Sequence, residues 1–141
     1  MTVIVDTPIW SLVFRRRAGE LKPEQEKMKW ELQELIREGR ARLLGPIRQE
    51  ILSGIREEAQ FRRLREDLRA FVDEGMTTED YEEAANVGNR CRRAGVAGSP
   101  TDFLICACAH RQNWAIFTTD GDFVQYAKHV PLRLHTARST Q

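Results

Sequence analysis

The chain has 141 residues, enough for one domain, spanning 1–141, with a hydrophobic core. Hydrophobic residues make up 41% and charged residues 30%, and the formal net charge is +1, which excludes gripping nucleic acid by bulk charge and leaves only a local patch. Three cysteines, Cys91, Cys106 and Cys108, point to reduced thiols, and the Cys106/Cys108 spacing is not that of a zinc knuckle.

Val3–Val5 form a short apolar run ended by Asp6, the pattern of a strand buried on both faces. The start lacks the basic residues and long apolar run of a signal peptide. No stretch approaches the roughly 20 apolar residues of a membrane helix, so the reading is cytoplasmic, with no membrane partner. "TPIWSLVFRRR" reads as a helix with Pro8 near its first turn. Pro23 to Gly39 is an amphipathic helix with Met28, Leu32, Leu35 and Ile36 on one stripe and Gly39 as the stop. Trp30 falls off that stripe, where it either packs at the core's edge or is exposed for contact with a second copy. "ARLLG" reads as a second strand, and Ile47, Ile51 and Ile55 mark a helix from Pro46. Phe61, Leu64, Leu68 and Phe71 continue with helical spacing. Thr78 is expected to cap a helix to about Arg93, with Tyr81, Ala84, Ala85, Gly88 and Cys91 facing inward. Ser99 and Pro100 announce a further helix, "DFLICACAH", apolar nearly all round and hence deeply buried. "AIFTT" is a clear strand, "DFVQYAKHV" a short helix and "LRLHT" a last strand. Strands alternating with helices predict an α/β domain on a mainly parallel sheet of four to five strands.

In such sheets ligands bind beyond the carboxyl ends of the strands. Asp6 directly follows the first strand, and Asp120 directly follows "IFTT". Asp102 lies in the first turn of the helix that runs into that strand. Topology therefore brings three carboxylates to one rim. Each has a plainer explanation: Asp102 complements a helix dipole, and one of Asp120 and Asp122 caps a helix. A carboxylate at the end of a buried strand, however, requires hydrogen bonds or a cation. Several acids at one rim repel one another unless a positive ion sits among them, and hard oxygen donors suit Mg²⁺ or Mn²⁺. Glu50, near the start of the helix after the second strand, is the best fourth acid, at the edge of the Ile47/Ile51/Ile55 stripe.

Four segments, in order, carry a resemblance: "VIVDTPIW", "IRQEILSGI", "SPTDFLICACAHRQNWAIFTTDGDF" and "VPLRL". Together the chain resembles the PIN-domain ribonucleases, and within them the VapC-type toxins of toxin–antitoxin pairs. The resemblance covers Val3 to about Leu134. It implies a PIN-like three-layer fold and an acidic metal site of Asp6, Glu50, Asp102 and Asp120, with Asp122 as a further acid. It also implies that Thr118 orients a carboxylate or a water. Pro8 stands where the family more often has Ser or Asn, which puts a side-chain hydrogen bond in question there.

The chemistry implied is metal-assisted hydrolysis of RNA, which needs no protein nucleophile. Arg15, Arg16 and Arg17 are candidates for an RNA-facing patch, while Arg62, Arg63, Arg65 and Arg69 read as a solvated helix face paired with Glu57, Glu58 and Glu66. The resemblance further implies a cognate antitoxin and a homodimer. Three alternatives stand beside the toxin: a PIN nuclease of RNA processing, a PIN-fold module that binds RNA without cleaving it, and a phosphatase with Asp6 as nucleophile. The last wants an acid at position 8, which is Pro.

Overall fold

The computed structural model describes residues 1–14 and 19–139. Arg15–Arg17 lie outside the described residues. In chain order the elements are β1 (Val3–Val5), α1 (Thr7–Phe14), α2 (Pro23–Arg37), β2 (Ala41–Leu44), α3 (Gly45–Leu52), α4 (Glu58–Leu68), β3 (Asp73–Glu74), α5 (Thr78–Arg93), α6 (Pro100–Gln112), β4 (Ala115–Phe117), α7 (Asp122–Tyr126) and β5 (Arg133–Leu134). The sheet has five strands in the order β3-β2-β1-β4-β5. Every pairing is parallel.

β1 is central and fully buried, as its uninterrupted Val-Ile-Val run requires. The chain first builds outward from β1 to β2 and β3, then returns to the other side of β1 for β4 and β5. Strand order therefore reverses between β1 and β4, and the crevice at their carboxyl ends is the topological switch point. The Asp6 N–H donates to the Phe117 carbonyl at 2.9 Å, closing β1 against β4 at that end. The buried Trp10 indole of α1 donates to the Val5 carbonyl at 2.8 Å, pinning the helix to the strand it follows.

β3 was not visible in the sequence. Its two residues are acidic, and they pair with Leu43 and Leu44 of β2. Ion pairs hold this edge where apolar side chains would in a longer strand: Arg48 with Asp73 at 2.7 Å and Arg42 with Glu74 at 3.1 Å. Arg48 also donates to the carbonyls of Leu68 and Phe71, so one guanidinium closes the turn out of α4.

α5 departs from expectation in its cap and its face. Thr77, not Thr78, is the N-cap, in a reciprocal capping box with Asp80. The inner face is Asp80, Ala84, Val87, Gly88 and Cys91, whereas Tyr81 and Ala85 are exposed. Asp80 takes the inner position because Thr77 and Arg111 satisfy its carboxylate; the Arg111 contact is 2.9 Å. Gly88 lets α5 approach α6 closely, since a Cβ there would lie 3.0 Å from the Phe103 ring.

α2 buries Leu32 and Leu35 and packs Met28 and Ile36 against the same core. It also buries Glu31 completely, against His135 at 2.6 Å and Arg138 at 2.7 Å. Arg138 reaches Glu38 as well and lies over the Trp30 ring. Trp30 is thus half-buried under the chain's own C-terminal segment. Gly39 follows α2 at φ +69, a left-handed conformation that favours glycine. All three cysteines are free and buried, and burial pushes the Cys108 thiol up to about 12. No helix among the described residues is long and apolar enough to cross a membrane.

Candidate metal centre

Asp6 joins the end of β1 to the start of α1. Its carbonyl receives the N–H groups of Ile9 and Trp10, and its side chain turns back onto the same junction. Oδ1 accepts the Thr7 N–H at 2.9 Å, and Oδ2 accepts the Thr118 hydroxyl at 2.7 Å. Thr118 directly follows β4, so this bond spans the switch point. Only 5% of Asp6 is exposed. Burial is the main cause that pushes its carboxyl up to about 6, against the two threonine bonds; Asp102 and Glu50 push the same way as burial.

The Thr118 oxygen also accepts the Asp120 N–H at 3.0 Å, and Asp120 Oδ1 accepts the Asp122 N–H at 2.9 Å. One hydroxyl thereby couples the Asp6 carboxylate to the loop that carries Asp120. Neither acid is the N-cap expected of this pair: Gly121 takes that position without a side-chain cap bond, and the Asp120 carboxylate instead closes the turn just before α7. Asp122 occupies the first turn of that helix.

Asp102 arrives from the first turn of α6. Its N–H is accepted by the N-cap Ser99 hydroxyl at 3.1 Å, and its Oδ2 accepts the Tyr126 hydroxyl at 2.7 Å. Burial raises the Asp102 carboxyl above its usual value; the Tyr126 and Ser99 bonds oppose this, and Asp120 and Asp122 add to it. Burial also raises the Tyr126 phenol, as do its bond to Asp102 and the neighbouring charge, so it remains a donor.

One oxygen each from Asp102, Asp120 and Asp122 lies within 4.8 Å of the others. Asp6 and Glu50 are not in this triplet. Asp6 connects to it through Thr118, and Glu50 connects to Asp6 through Thr7, whose hydroxyl donates to Glu50 Oε1 at 2.9 Å. Glu50 is exposed, at the mouth of the arrangement. Asp122, a further acid by its place in the sequence, belongs in the structure to the tightest group. Sequence reasoning missed Tyr126, whose signal is its position one turn after Asp122 on the same short helix.

Among the described residues none of these five carboxylates forms an ion pair with Lys, Arg or His. Three mutually close carboxylates without a counter-charge fit a hard divalent cation in charge, donor type and spacing. The remaining acids are close enough to feel the same field.

Fold and site together define an α/β protein with an acidic centre at the switch point of a parallel sheet. Residues 3–129 match the PIN domain family, and the chain belongs to that family, which is one of nucleases. Three solved structures share the fold. FitAcB from Neisseria gonorrhoeae is 16% identical, with a TM-score of 0.73 over 96% of this chain and 97% of that one. VapBC2 from Rickettsia felis, bound to a DNA fragment from its promoter, is 14% identical, with a TM-score of 0.68 over 96% and 98%. A toxin–antitoxin complex from Klebsiella pneumoniae is 20% identical, with a TM-score of 0.61 over 86% and 90%. A comparison with curated protein sequences finds no match.

Proposed function

We propose that this protein is a divalent-metal-dependent endoribonuclease and the toxin of a toxin–antitoxin pair. The observation that carries the nuclease reading is the Asp102/Asp120/Asp122 triplet at the switch point, linked by hydrogen bonds to Asp6 and Glu50. The toxin reading rests on membership of the PIN family and on fold likeness to structures described as toxin–antitoxin assemblies.

Asp102, Asp120 and Asp122 would hold the ion, with Asp6 beside them, directly or through water. Bound Mg²⁺ or Mn²⁺ supplies Lewis acidity, both for activating water and for stabilising charge on a phosphodiester. Thr118 holds the Asp6 carboxylate in one orientation and ties it to the Asp120 loop. Glu50, exposed and oriented by Thr7, orients the attacking water. The cysteines are buried, and His135 is engaged by Glu31, so neither supplies a nucleophile at this rim.

RNA must approach an acidic rim, so basic residues have to reverse its field. Arg62 pairs with Glu58 along α4, Arg69 at its C-terminal end pairs with Glu66, and Arg65 lies over Phe61, which fits a solvated helix face. Arg15–Arg17 keep the role of RNA-facing patch in this proposal. A cognate antitoxin would silence the site, and the toxin would act as a homodimer in the cytoplasm.

The test is cleavage of single-stranded RNA by purified, partner-free protein. Activity should require Mg²⁺ or Mn²⁺ and stop with chelator. Asp102→Asn should lower the rate by about 100-fold or more, the scale of a lost Lewis-acid contribution. Cleavage that survives both treatments would refute the reading.

A further inference from the structure

The Tyr126 side chain is fully buried, although it ends in a polar group. Its ring lies edge-on to Phe103 at 5.6 Å and to Phe123 at 5.1 Å, so packing fixes where its hydroxyl points. That hydroxyl donates to Asp102 Oδ2 at 2.7 Å. The space it occupies exists because residue 98 is glycine. A Cβ on Gly98 would lie 2.6 Å from the Tyr126 oxygen and 2.7 Å from the Phe103 ring. Gly98 does not adopt positive φ, so backbone conformation does not demand glycine there; room for the phenol and the Phe103 ring does. Asp122 and Tyr126 stand one helical turn apart on α7. A single short helix therefore brings to the centre both a carboxylate and a donor for a second carboxylate.

We infer that Tyr126 is a positioning residue of the metal centre: its hydroxyl, seated in the space left by Gly98, orients the Asp102 carboxylate toward Asp120 and Asp122. This rests on the metal-dependent reading above. A carboxylate on the first turn of a helix rotates freely unless something holds it, and a ligand held in place loses less entropy when it binds a cation. The phenol supplies that hold from the buried side.

The test is direct Mn²⁺ binding, by titration calorimetry or by the free-ion spin-resonance signal, with no RNA present. Tyr126→Phe keeps the ring and removes only the hydroxyl. It should bind Mn²⁺ about 10- to 100-fold more weakly than the parent, the range for loss of a group that orients a metal ligand. Its circular dichroism should be unchanged. Gly98→Ala keeps the tyrosine but crowds its hydroxyl, and the folded variant should be weakened in the same direction. The RNA cleavage rate should fall in both variants and recover in part at saturating Mn²⁺. Folded Tyr126→Phe with Mn²⁺ affinity within twofold of the parent would overturn the inference alone and leave Tyr126 a packing residue. A parent protein that binds no Mn²⁺ would overturn the metal reading and the inference with it.

Discussion

Asp6 shows most clearly what the site costs the fold. Its carboxyl has an ordinary value of 3.8 and is pushed up to about 6, chiefly by burial. The native state therefore holds this proton more tightly than the unfolded chain does. The stabilisation is fully present below about pH 4 and is lost as pH rises through about 6. A shift of about two units corresponds to about 3 kcal/mol. Asp6→Asn removes the ionisation, and its amide can donate to Thr118, which has one lone pair left beside the Asp120 N–H. In chelator, the variant should exceed the parent in stability above pH 6, by up to about 3 kcal/mol, and match it near pH 4. Urea unfolding across that range measures this, and parallel pH profiles would contradict it. Thr118→Val tests the neighbouring link. It leaves Asp6 Oδ2 and the Asp120 N–H without their shared partner, and should cost about 2 kcal/mol in the same assay, whereas Thr118→Ser should cost little. Asp6, Asp102 and Asp120 were legible in the sequence because each follows or opens an element whose end lies at the rim. Glu50 needed the family resemblance as well, and Thr118 rested on it alone. The closeness of Asp122 to the others was not legible, since it depends on how one loop folds rather than on which residues it contains.

The elements illustrate two ways in which pattern reading fails. β3 has no apolar pattern because arginines on β2 and α3 hold it from outside. The inner face of α5 includes an acid because Arg111 on α6 pairs with it. In both cases the deciding contact comes from a different element, which periodicity within a segment cannot reveal. The C-terminal segment is held in the same manner. His135 stacks edge-on against Phe117, its N–H donates to Ile116, and its ring contacts the buried Glu31. His135→Ala takes one of two partners from a carboxylate with no access to water, and should destabilise the protein by about 2 kcal/mol. Thermal unfolding checks this. An unchanged midpoint would show that the segment does not fasten α2 to the sheet.

At the scale of the whole molecule, the function rests on a consequence of topology. Building outward from β1 in both directions leaves one crevice, and the residues just past β1 and β4 must line it. α6 packs so that its first turn opens there too. The sequence order of elements was enough to anticipate this convergence, because parallel strands with helical crossovers place all strand ends of one kind on one rim. An unfilled cluster of acids at that rim is self-repelling, so a bound divalent ion should also raise the thermal midpoint by mass action, and Asp120→Asn should blunt the rise. In the proposed function, water activated at this carboxylate centre attacks the phosphodiester without help from the ribose 2′-hydroxyl. End-group analysis of RNA fragments made by the purified protein tests it most directly. The fragments should carry 5′-phosphate and 3′-hydroxyl ends, whereas 2′,3′-cyclic phosphate ends would rule this attack out.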